Sequence, residues 1–181
     1  KTGKDIFIDA REIAPAAATQ AAYLDAKGEF NRDRATNGAW SAGIPGLPAG
    51  LVHLASNHGR LPLKTSLAPA IRIAREGFPV YARLANGYAA RREVMERYKG
   101  TKGVFLADGD APEEGEILLQ PDLARTLELL AEKGFDGFYR GPRAKKVLAG
   151  VTAESGRWTA DDLADYRVRG REPIRFEYDG W

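Results

Sequence analysis

Strand-favouring residues stand at the two ends of this chain, and almost everything between them carries a helical period. Asp5-Ile6-Phe7-Ile8-Asp9 is an apolar, β-branched and aromatic run, and residues 173–178 alternate Ile174, Phe176 and Tyr178 with Arg175 and Glu177. Two end strands, with one weak pair near Val104 and Ile117, cannot make a sheet broad enough to cover the amphipathic helices between them. The pattern predicts an α+β, helix-rich unit with strands mainly at its ends, in which residues 1–181 form one incomplete domain cut from a longer chain. Apolar residues make up 44% of the 181, so a core can form and the chain is not compositionally disordered.

Between the ends, the punctuation is glycine and proline. Residues 16–24 are alanine-rich and predict two helical turns, and residues 25–38 read as a long polar loop. Gly43-Ile44-Pro45-Gly46-Leu47-Pro48-Ala49-Gly50 predicts a tight turn feeding a helix over 48–57, with Gly59 beyond its end. Helices are predicted over 63–75 and 80–98, from their spacings of three and four. Val104-Phe105-Leu106 reads as a short strand before a turn at Asp108-Gly109-Asp110, and Ile117-Leu118-Leu119 as the next extended piece. Pro121 opens a helix that Gly134 ends, another covers 143–153, and Thr159-Ala160-Asp161-Asp162 has the form of a capping box.

The chemistry that stands out lies at the end of the first strand, where Asp9, Arg11 and Glu12 follow the apolar run and Pro15 closes it. Alternation puts Asp9 and Arg11 on one face. An arginine fixed there, with carboxylates beside it, is a receptor for a substrate carboxylate or one half of a surface ion pair. The glycine-rich turn lacks the Lys-Ser/Thr of a phosphate loop and reads as structural. With no cysteine, thiolate chemistry is excluded within the chain, and His53 and His58 are too far apart for two ligands on one helical turn, so neither metal nor cofactor is expected. Asp108, Asp110, Glu113 and Glu114 lack the spacing of a calcium loop and read as a solvated acidic turn. A net charge of +2, spread among nearly as many acids as bases, argues against nucleic-acid binding. No run approaches the ~18 apolar residues of a membrane helix.

Taken in register, these pieces resemble the large subunit of the γ-glutamyltranspeptidases (glutathione hydrolases). The matching stretches are residues 7–16, Gly43-Ile44-Pro45-Gly46, Ala68-Pro69-Ala70-Ile71, Ala74-Arg75-Glu76-Gly77-Phe78, residues 120–127, Gly137-Phe138-Tyr139-Arg140-Gly141 and residues 159–166. Order and spacing hold from Phe7 to Gly180. The resemblance implies an αββα N-terminal-nucleophile hydrolase, made as a zymogen that cleaves itself. The new N-terminal Thr of its small subunit then attacks the γ-glutamyl amide of glutathione or a related donor. The acyl group passes to water, an amino acid or a peptide.

The resemblance places the donor's α-carboxylate on Arg11, with Asp9 and Glu12 orienting the guanidinium. It implies a periplasmic or secreted enzyme. Ala10 stands where the family often has Gly, and the threonines of this chain are all internal, so the nucleophile is expected on a segment not present here. Two other readings stay open. One is a non-catalytic helical scaffold or binding module, a degenerate homologue; the other is a relative of the cephalosporin acylases with a different acyl preference.

Overall fold

The computed structural model describes residues 5–106 and 109–179. The chain enters as β1 (Phe7–Asp9), crosses to a 3₁₀ turn at Gln20–Tyr23 and continues into α1 (Arg32–Thr36). The two helical turns expected over 16–24 are reduced to that 3₁₀ turn, because an alanine-rich stretch so short has too few hydrogen bonds to hold a helix unaided. The segment read as a loop conversely contains a helix: Asn31 caps α1 by accepting the Arg34 N–H at 3.0 Å.

The long periodic segments fold where their spacing puts them. α2 spans Leu47–Asn57, α3 Leu63–Glu76, and α4 Ala82–Glu96 after the two-residue strand β2 (Phe78–Pro79). Next come α5 (Lys99–Phe105), β3 (Ile117–Leu118), α6 (Pro121–Lys133), α7 (Asp136–Tyr139) and α8 (Gly141–Ala153). α9 (Ala160–Ala164) carries the expected capping box: the Thr159 hydroxyl accepts the Asp162 N–H, and the Asp162 carboxylate accepts the Thr159 N–H. β4 (Arg169–Arg171) closes the described strands.

Two strand expectations are corrected. Val104 and Phe105 end a helix rather than pairing with Ile117. Phe105 stacks on Tyr88 of α4 at 5.2 Å and Leu106 is buried behind it, so packing overrides the β propensity of the triplet. β3 pairs instead with β2, Phe78 opposite Leu118. Asp108, the first residue of the expected turn, lies outside the described residues.

The closing strand is also displaced. Residues 173–178 alternate correctly but have no strand partner among the described residues, and Ile174, Phe176 and Tyr178 are exposed. The strand that forms is Arg169-Gly170-Arg171, starting four residues earlier, antiparallel to β1 with Phe7 opposite Arg171 and Asp9 opposite Arg169. Alternation defines a face, but a ladder needs a partner whose side chains match, and Asp9 selects the two arginines. β1 and β4 thus close on each other.

Two packing centres support this frame. α3 lies along α6, burying Leu67 and Ala74 against Ala124 and Leu130, with an Arg75–Glu128 ion pair across the seam. The second centre gathers Ile44, Ala49, Tyr139, Ala144, Leu163 and Tyr166, all buried, from the glycine-rich turn, α2, α7, α8 and the end of α9. This second centre carries the strand end with Arg11.

Candidate functional site

β1 ends at Asp9, so Arg11 stands just beyond the ladder on a connecting segment. The main chain of that segment is fixed on both sides of Arg11. The Arg11 N–H donates to Asp9 Oδ1 at 3.1 Å, and the Arg11 carbonyl accepts from the Tyr166 hydroxyl at 2.8 Å. Two residues on, Ile13 and Ile44 exchange backbone hydrogen bonds of 3.3 and 2.8 Å, tying the segment to the glycine-rich turn.

The glycines of that turn are there for space. A Cβ on Gly50 would stand 2.6 Å from the Ala10 side chain, and one on Gly43 2.8 Å from Glu12 Cγ. A Cβ on Gly46 would collide with the Ala10 carbonyl and the Tyr166 hydroxyl together. Gly46 has φ −105°, which any residue adopts, so close approach rather than conformational freedom requires glycine. Gly46→Ala is expected to lower stability by about 1–3 kcal/mol, since the backbone must move to admit the methyl group. Chemical denaturation checks this, and an unchanged midpoint would mean that the turn and the Arg11 segment are not packed as described.

Beneath the segment, two tyrosines convert core packing into position. The buried Tyr166 ring stacks on Tyr139 with centroids 5.6 Å apart and planes 14° from parallel. The Tyr139 hydroxyl donates to the Pro45 carbonyl at 2.6 Å and accepts the Ala49 N–H at 3.2 Å. Burial pushes both hydroxyls up from the ordinary tyrosine range, so they stay protonated and remain donors at neutral pH.

The three residues singled out by sequence are brought together, with distinct contacts. The Arg11 side chain is 82% exposed; its Nε donates to Glu12 Oε1 at 3.3 Å, and its terminal amino groups have no partner among the described residues. Glu12 therefore stands beside the guanidinium, whereas Asp9 holds the Arg11 backbone. The second Asp9 oxygen accepts from Arg171 Nε at 2.7 Å. The Arg11 amide and then the Arg171 guanidinium hold the Asp9 carboxyl below the usual carboxylate range, so it is ionised at neutral pH. Tyr166 and Arg171 were not singled out from the sequence. The spacing of two between Arg169 and Arg171 was the available sign that these cations line one face of a strand.

Together Asp9, Arg11, Glu12, Tyr166, Arg169 and Arg171 border a hollow of about 250 Å³. A larger hollow, of about 520 Å³, lies between α5, β3 and the start of α6. Size does not favour it as the site, because its walls hold no arginine fixed for an anion. Among the described residues, no group of three metal-ligating side chains occurs.

Solved structures share this fold. The chain superposes on the crystal structure of Helicobacter pylori γ-glutamyltranspeptidase with a TM-score of 0.95 and 32% identity, covering 99% of this chain and 52% of that one. It superposes on a cephalosporin acylase from Bacillus halodurans with a TM-score of 0.88 and 34% identity, covering 99% and 34% of the two chains. In sequence it is 41% identical over 180 residues to the glutathione hydrolase proenzyme of Pseudomonas aeruginosa, across 98% of this chain and 31% of that protein. The profile of the Gamma-glutamyltranspeptidase family matches residues 1–181, and the chain belongs to that family. It spans about a third of the length of the curated relatives it matches (31% in the Pseudomonas aeruginosa case).

Proposed function

We propose that this chain is a segment of the large subunit of a glutathione hydrolase, and that Arg11 receives the α-carboxylate of a γ-glutamyl donor. The observation that carries this reading is the contrast at Arg11: its main chain is held at both N–H and C=O, while its guanidinium borders the hollow with both terminal amino groups open among the described residues. That is the geometry of a pre-positioned fork, which meets a carboxylate through two parallel charge-assisted bonds. Glu12, at Nε, fixes the plane of the fork without occupying its working edge.

With the carboxylate seated, the γ-carbonyl of the donor is presented to a nucleophile on the small subunit of the same precursor. In this reading a Thr hydroxyl adds to the γ-carbonyl carbon while its own α-amine takes the proton. The departing amine of the donor leaves with that proton, and an acyl ester remains. Water then gives hydrolysis; the amine of an amino acid or peptide gives transfer. The residues of this chain bind and orient the donor in both halves, and none of them needs a metal or cofactor for that role.

The 181-residue chain alone is expected to release no nitroaniline from γ-glutamyl-p-nitroanilide above background. Turnover by the isolated chain would overturn the assignment of the nucleophile to another segment. A second reading, an acylase with another acyl preference, is favoured by the likeness to the Bacillus halodurans acylase. Donor preference separates the two, because Arg11 as a carboxylate receptor selects donors that carry an α-carboxylate. Among the described residues no helix is long and apolar enough to cross a membrane. We place the whole enzyme in the periplasm or outside the cell on family grounds, and fractionation of the native host checks that.

A further inference from the structure

We infer that Arg171 is a positioning residue for Arg11 and acts on it through Asp9. The inference rests on the reading of Arg11 as the carboxylate receptor and adds the device that aims it. In the β1–β4 ladder Asp9 stands opposite Arg169, which puts Arg171 on the diagonal of the same face. The two Asp9 oxygens are divided between two arginines: Oδ2 takes Arg171 Nε at 2.7 Å, and Oδ1 takes the Arg11 N–H at 3.1 Å.

A carboxylate on a strand end rotates freely unless something holds one of its oxygens. Here Arg171 holds the outer oxygen, and the inner one is thereby turned toward the Arg11 amide. The Asp9 side chain is 21% exposed against 52% for Arg171, so the carboxylate is partly shielded by its neighbours while the guanidinium stays largely in water. Among the described residues the Arg11 side chain hydrogen-bonds only its neighbour Glu12, so the direction in which it leaves the chain is set by the main chain at Arg11. Tyr166 fixes the carbonyl side of that residue from the core, and Asp9 with Arg171 fixes the amide side from the sheet. The closing strand thus reaches the donor site without touching the donor.

The test uses the full-length, processed enzyme and γ-glutamyl-p-nitroanilide. Arg171→Ala is expected to raise KM about tenfold with kcat within about twofold, the signature of a receptor displaced by a fraction of an ångström. Arg171→Lys, which keeps a cation for Asp9, is expected to recover part of the loss. In an Arg11→Ala background, Arg171→Ala should add nothing, because its only route to the donor is gone. A wild-type KM for Arg171→Ala overturns the inference. So does a KM penalty of the same size with and without Arg11, which would make Arg171 a ladder residue only. If Arg171→Ala fails to mature, Asp9→Asn replaces it: its Oδ1 can still accept the Arg11 amide, but its tie to Arg171 loses the charge, and KM should rise severalfold. An unchanged KM there overturns the inference equally. If Arg11→Ala itself leaves KM unchanged, the reading of Arg11 fails; if it raises KM while Arg171→Ala does not, only the role of Arg171 fails.

Discussion

Arg11→Ala in the full-length enzyme is expected to raise KM for γ-glutamyl donors by about 100-fold or more and to leave folding and processing intact. The size follows from the bond that is lost: a two-pronged guanidinium–carboxylate contact is worth on the order of 3 kcal/mol, and each 1.4 kcal/mol is a factor of ten. The sparing of the fold follows from exposure, since the side chain is 82% exposed and, among the described residues, hydrogen-bonds only Glu12, through its Nε. Arg11→Lys should recover little, because a point charge does not reproduce a fork. Steady-state kinetics with thermal unfolding of the same samples separates the two effects. A KM near wild type would make Arg11 an ornament of the Glu12 ion pair.

Tyr139→Ala has the largest expected effect on stability, a loss of about 3–5 kcal/mol. The ring is buried and is stacked on Phe135 at 4.3 Å as well as on Tyr166. Its removal also leaves the Ala49 N–H and the Pro45 carbonyl without their shared partner. Tyr139→Phe keeps the ring and should cost only about 1–2 kcal/mol, from the lost hydroxyl. Denaturant unfolding of both variants reads the difference. If the alanine variant loses less than about 1 kcal/mol, the stacked tyrosines do not hold the turn and the Arg11 segment together.

How far the sequence revealed this molecule varied with how local the determining interactions are. α3, α6 and α8 were legible to within a residue or two, because helical spacing, prolines at the start and Gly77 or Gly134 at the end all agree. The capping box at Thr159 was legible for the same reason: every atom it needs lies within four residues. What failed were the strands, whose formation depends on distant partners. Val104-Phe105-Leu106 has strand composition, but Tyr88 offered Phe105 a stacking surface that keeps the segment helical. Residues 173–178 have strand alternation, but the ladder with β1 went to Arg169-Gly170-Arg171, which supplied cations for Asp9.

The candidate site divides along the same line. Asp9, Arg11 and Glu12 were legible as a charged strand end, and the family likeness pointed to Arg11 among them. The role of the glycine-rich turn was half legible: its tightness was evident, while its contact with Ala10 and Glu12 needed the folded chain. Tyr166, 155 residues from Arg11 and tied to it by one side-chain hydrogen bond, could not be found by spacing, and the two-residue spacing of Arg169 and Arg171 marked a strand face without naming Asp9 as its partner.

The most direct measurement compares two donors in the wild-type enzyme and in Arg11→Ala. One is γ-glutamyl-p-nitroanilide; the other is its 4-aminobutyryl counterpart, identical except that the α-carboxylate is missing. The wild type should prefer the first by about 100-fold or more in kcat/KM, and the variant should treat the two alike to within a few-fold, because the proposed receptor for the carboxylate is gone. A preference that survives intact in Arg11→Ala would show that the carboxylate is read elsewhere and would contradict the assignment of Arg11.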